Sequence, residues 1–380
     1  DITKAIYYLE IAVKLDNPRA QYELGCIYYE DKYTSRDIEK AISLFSRAAN
    51  HNHPVAQFYL GVIYFDGKYI KRDIKKAIYY FTQNEEKGFP EAQYNLGRLF
   101  YEGEYIERDI NKSIKYFTIA AKKNYAQAQF KLGAIYYENK YIPREIDKSI
   151  HYLKLAADQN HSEAQFFLAV IYYEGKFVGR NIEKALFYAE LSANQDETQA
   201  QYLLGVINYN GDCPSGNIQN AIHYFELAAQ KNHSESQYNL GIIYSNNIKI
   251  KVDIHKAIYY FESASNQNNS DAQYELALIY YTGKYIEKDI NKCIHYLTLS
   301  EKNNNAKAQF SLGVLNYEGL DVPQDINKAI HYLTNSAKQN LPDAQYYLGI
   351  IYSESKYVNI NKAIYYLHLC ANQNVSMAQF

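Results

Sequence analysis

The side chains best suited to proton transfer or metal binding are histidines, and His151, His223, His295 and His331 fall in one phase of the chain. Imidazole titrates near neutral pH and is a common zinc ligand. The same phase also carries Phe187 and Tyr259, so the slot accepts a flat ring rather than specifically a base. Equivalent positions in packed helical units lie at least one helix spacing apart, about 8–10 Å, whereas zinc–nitrogen bonds are about 2 Å. The row is therefore read as partly exposed rings on an outer face, and His53, His161 and His233 as turn residues of the same kind. Cys26, Cys213, Cys293 and Cys370 lie far apart, three of them where a small core residue belongs, and read as buried small hydrophobes. The stretch from Gly211 to Gly216 lacks the lysine–serine ending and preceding strand of a phosphate loop. No Gly-x-Ser-x-Gly elbow or His-Glu-x-x-His pair occurs, and the acids are not paired as a general acid and base would be. No catalytic activity, metal or cofactor is expected.

A second series points to binding. An aromatic ring precedes an acid at Tyr29-Glu30, Phe65-Asp66, Tyr101-Glu102, Tyr137-Glu138 and Tyr173-Glu174. The series changes at Tyr209-Asn210, Ser245-Asn246 and Tyr281-Thr282, then returns at Tyr317-Glu318 and Ser353-Glu354. Each acid falls in the last turn of its helix, where the dipole disfavours it by roughly 0.3–1 kcal/mol. Its recurrence there suggests another reason. One is an ion pair with the loop lysine two residues on (Lys32, Lys68, Lys140, Lys176, Lys356). The other is a groove for a basic or mixed extended peptide.

What positions these residues is a repeat. A small residue recurs at Ala20, Ala56, Ala92, Ala128, Ala164, Ala200, Ser236, Ala272, Ala308 and Ala344, always 36 residues apart. Such a period means a solenoid. Ala56, Leu60, Ile63, Tyr64 and Gly67 make one apolar stripe of a first helix, with Gly67 placed to stop it. Asp73 caps a second helix, whose stripe is Ile74, Ala77, Ile78 and Phe81. Asp or Asn fills that cap at 37, 109, 181, 217, 253, 289, 325 and 359; only Glu145 departs. Pro54, Pro90 and Pro342 stand at first-helix starts. Mid-helix glycines (Gly25, Gly61, Gly97, Gly133, Gly205, Gly241, Gly313, Gly349), each about 1 kcal/mol worse than alanine in a helix, imply close helix crossings. Ala169 and Ala277 are the substitutes.

The pattern A-x-Y/F-x-L-G-x-x-Y-x-x-G, then D-I-x-K-A-I-x-Y-F/L and a paired Ala-Ala, resembles the Sel-one-like repeat, a branch of the tetratricopeptide-like superfamily. The Ala-Ala element stands at Ala48-Ala49, Ala120-Ala121, Ala156-Ala157 and Ala228-Ala229, is lost at Asn84-Glu85 and half lost at Ser300-Glu301. The resemblance implies an all-α fold: a right-handed α/α superhelical solenoid of stacked hairpins over 1–380, with first helices lining the concave face. It also implies a non-enzymatic scaffold or adaptor for protein or peptide partners. The alternative is a targeting or regulatory arm of a larger enzyme, for example one with a kinase-like domain. Candidate groove residues are Tyr29, Glu30, Phe65, Asp66, Tyr101, Glu102, Tyr137, Glu138, Tyr173, Glu174, Tyr317 and Glu318.

Composition narrows the partner. With 40 basic and 42 acidic residues interspersed, no basic stripe suggests nucleic acid. No apolar run approaches the ~20 residues of a membrane span. Unpaired cysteines favour a reducing, cytoplasmic setting, with the endoplasmic-reticulum lumen as the alternative because sequons occur at Asn160, Asn232 and Asn268. Residues 1–19 read as the trailing helix of a cut repeat and 378–380 as the start of another, so a longer protein is expected. The loops at 212–217 and 246–249 break the pattern and are expected to bend or loosen the array.

Overall fold

The structure is a computed structural model describing residues 2–83, 89–213, 216–246, 250–354 and 358–373. Among these, all regular structure is helical, in 21 segments. First helices, from Pro18–Glu30 to Pro342–Ser353, alternate with second helices, from Ile2–Lys14 to Ile360–Ala371. The chain falls into two compact units, Asp1–Glu197 and Thr198–Phe380. Within each unit every helix packs on the one before and the one after. This is the hairpin stacking expected of an all-α solenoid.

Polar caps set the boundaries. From Asp37 to Asn359, the Asp or Asn before each second helix accepts the third backbone N–H of that helix, as in Asp109 Oδ1 to Lys112 N at 2.9 Å. Glu145 makes no such bond and instead pairs with Lys148 at 2.6 Å. Most first helices stop at a left-handed residue, Gly67 with φ 62° being typical, while Asp31 and Asn139 adopt the same conformation at φ 53° and 54°; Pro342–Ser353 ends instead at an extended Glu354. Among the described residues, the turns entering first helices also carry a left-handed residue, Asn at 52, 124, 160, 232, 268, 304 and 340 and Asp at 16 and 196. Asparagine tolerates this region better than other side chains. Much of the chain's asparagine thus has a conformational use.

The histidines at first-helix entries are not outer-face rings. Nδ1 of His53 and His161 accepts the N–H of Ala56 and Ala164, at 3.3 and 3.4 Å, and His233 caps Ser236 N at 3.2 Å. Each ring packs on an aromatic of the preceding repeat: Tyr22, Phe130 or Tyr202, at 4.7–4.8 Å between centroids.

The glycines mark crossings as expected. A Cβ on Gly61 would lie 2.4 Å from the Phe81 ring, and one on Gly133 2.6 Å from Leu153. Ala169, in the same series, has Ala189 in the phase of Phe81 and Leu153, whereas Ala277 keeps a leucine, Leu297, there. Beside this apolar seam runs a buried polar one. Gln165 is 1% exposed; its Nε2 donates to Ala157 O at 3.1 Å, and its Oε1 accepts from Gln195 Nε2 at 2.7 Å. The same bridge joins Gln129 to Gln159, Gln237 to Gln267 and Gln309 to Gln339. In these repeats the glutamine is therefore a stitch between neighbours, whereas the Oε1 atoms of Gln21 and Gln93 are buried without such a partner.

The pattern breaks fall partly on residues 214–215 and 247–249, outside the described residues, as do Asn84, Glu85, Lys356 and 378–380. Cys213, where other repeats have a loop aromatic, is buried.

Candidate functional site

Every candidate carboxylate, Glu30, Asp66, Glu102, Glu138, Glu174 and Glu318, is exposed, and every ring before it is half-buried. The acids do not lie against the loop lysines. Lys32, Lys68, Lys140 and Lys176 sit about 5 Å from the ring of the next residue. Instead, the tyrosine of one repeat donates to the acid of the next: Tyr101 to Glu138 at 3.2 Å, Tyr137 to Glu174 at 3.5 Å, and Tyr317 to Glu354. Burial first and then the Glu138 charge push the Tyr101 hydroxyl up to about 12. The hydrogen bond that Tyr317 donates to Glu354 foremost, with burial, does the same for Tyr317. Glu102 pairs within its own helix with Arg98 at 3.0 Å.

An arginine series that the sequence reading passed over holds this row in place. Arg36, Arg72, Arg108, Arg144 and Arg180 recur at the repeat period, just before each second-helix cap. Arg108 donates to the helix-terminal carbonyls of Tyr101 and Glu102, both at 2.9 Å. Its guanidinium also lies 5.1 Å from the ring of Tyr141 in the next repeat, and Tyr101 meets that ring edge-on at 5.7 Å. Arg36 with Tyr69, Arg72 with Tyr105 and Arg144 with Phe177 repeat the stacking at 4.8, 4.5 and 4.0 Å. Lys288 and Gln324 stand at two of the corresponding positions of the second unit. The signal was an arginine at constant phase, hidden because it differs between the two halves.

The resulting surface is a row of exposed acids on rings clamped between repeats. The second helices present another row: Tyr79, Phe187 and Tyr259 are 58%, 55% and 64% exposed, in phase with the exposed His151, His223, His295 and His331. That phase is an outward one, as expected. No group of three or more His, Cys, Asp or Glu among the described residues is placed to hold a metal ion. The four cysteines are free thiols, three of them buried, and no described helix is long and apolar enough to cross a membrane.

The Sel1 repeat family matches the chain at residues 1–17, 18–53, 54–84, 90–125, 126–161, 162–197, 198–233, 234–269, 270–305, 306–341 and 342–375. Among solved structures, a protective antigen of uropathogenic Escherichia coli displaying an SLR fold is similar at 27% identity. It covers 98% of this chain and 80% of its own, with a TM-score of 0.84. A Sel1 repeat protein of Oxalobacter formigenes shares 26% identity over 90% of this chain and 88% of its own, with a TM-score of 0.48. No curated protein matches at a significant level. Because the hairpins, glycine crossings and caps all keep the phase of that match, the chain belongs to the Sel1 repeat family, whose members are helical scaffolds that typically mediate protein interactions.

Proposed function

We propose that the chain is a non-enzymatic scaffold that holds an extended, basic or mixed-charge segment of a partner protein along the C-terminal ends of its first helices at residues 18–174. The observation that carries this reading is the recurrence, once per repeat, of an exposed carboxylate beside a half-buried ring. A ladder of equal steps suits a polypeptide better than a small molecule. Rim charges chiefly govern association rate and salt dependence, while rings contribute most of the contact energy.

The acids are the cleaner probe, because truncating Tyr101 or Tyr137 would also disturb repeat packing. The full chain is immobilised and exposed to lysate of its native cell, as wild type and as Glu30→Lys with Asp66→Lys. Helicity should match between the two. The charge reversal should lose partners recovered at low salt, with the difference shrinking as salt rises. Identical recovery from both at every salt concentration would place the binding surface elsewhere.

A further inference from the structure

In the repeat beginning at Pro54, the ring of Tyr59 is packed from three sides. It stacks on Phe45 at 5.2 Å, meets Tyr29 edge-on at 5.6 Å and meets Phe58 at 6.0 Å. Phe167 and Tyr347 occupy the same phase and meet Tyr137 and Tyr317 in the same edge-on manner. Of the ten residues in this phase, Ser311 is the smallest. Moving along the repeat carries Tyr29, Phe45 and Phe58 to Tyr281, Leu297 and Phe310. All three line an apolar cavity of about 130 Å³ beside Ser311, floored by the buried Ala277, Cys293 and Leu315. The repeat that carries Ser311 thus keeps the walls of a ring site and lacks the ring.

We propose that this cavity receives one aromatic side chain of a partner protein, in the place that Tyr59 fills from within. An apolar cavity of about 150 Å³ holds benzene, so this one matches a phenyl ring. It is well below the roughly 300–1,000 Å³ of sites for drug-sized ligands, so whatever carries the ring stays outside. The mouth is formed by Tyr281, 37% exposed, and the exposed Glu318. Glu318 favours a basic residue beside the ring and belongs to the acid series above. The inference rests on the scaffold reading, for which it names an anchor: buried aromatics in pockets are what usually dominate an interface.

The test uses the full chain with labelled methyl groups, titrated with toluene, with N-acetyl-phenylalanyl-lysine amide and with its alanyl analogue. Toluene and the phenylalanyl peptide should shift the methyl signals of Val314, Leu278 and Leu297 saturably and compete with each other. The alanyl peptide should not. Ser311→Phe, which supplies the ring internally, should raise Tm and abolish both responses. Absence of a saturable response in the wild type, or an equal response in the Ser311→Phe chain, overturns the proposal. So does toluene binding that the phenylalanyl peptide fails to displace, since the site would then take only a free ring. None of these outcomes depends on the acids at Glu30 and Asp66, so failure here is separable from failure of the scaffold reading.

Discussion

At the scale of single residues, the repeat controls volume and charge state at a few positions. Gly61 leaves room for Phe81, so Gly61→Leu should destabilise by about 1–3 kcal/mol from overpacking, while the exposed Lys75→Ala should be near neutral. The natural Ala169 and Ala189 pair gives a sharper version. Ala189→Phe alone should overpack against Ala169, and adding Ala169→Gly should recover the loss. A double-mutant cycle in denaturant should therefore show coupling of at least about 1 kcal/mol; additivity would contradict the crossing account. The capping histidines make a pH prediction. Burial holds His53, His161 and His233 below their ordinary value, and protonating Nδ1 would remove the acceptor. With the folded value depressed, the unfolded chain binds more protons as pH drops below about 6.5. Stability is thus full above that pH and falls through the window beneath it. Replacing all three by Asn, which accepts the same bond at Asn17, Asn269 and Asn305, should flatten the urea midpoint between pH 7.5 and 5.5. An unchanged slope would remove these residues as its source.

At the scale of elements, neighbours are joined by two polar stitches that apolar periodicity does not reveal. Gln165→Leu would remove one bond each from the Ala157 carbonyl and the Gln195 amide, which keep Asn160 N at 2.9 Å and Leu191 O at 3.4 Å, at about 0.5–1.5 kcal/mol per bond lost. A denaturation midpoint equal to wild type would show that water replaces the bridge. The arginine clasp predicts a different signature. Arg108→Ala should lower the midpoint, and Arg108→Lys should not restore it, because lysine lacks the planar fork that bonds two carbonyls while stacking on Tyr141. The hairpins, caps and crossings were legible in the sequence because each depends on residues within one 36-residue period. Asp109 reads as a cap from its own neighbours. The partners of Tyr101 and Gln165 were not legible, since both lie 30 to 40 residues away and only the stacking brings them near.

At the scale of the whole chain, the rings of the first-helix row largely serve cohesion, and the acids beside them remain turned to solvent. That division is what a scaffold needs, since the contact surface can vary while the array stays in register. The second helices offer a competing surface in Tyr79 and its exposed counterparts, whose rings meet the next ring of their own helix at 5.1–5.2 Å. The most direct discriminating measurement is site-specific photo-crosslinking in the native cell. The full chain carries a benzophenone amino acid at position 66 or 102 on the first-helix row, or at 75 or 79 on the second-helix row. The account predicts discrete crosslinked protein partners from 66 and 102 and few from 75 and 79. Partners captured only from 75 and 79 would contradict it and assign binding to the second-helix face.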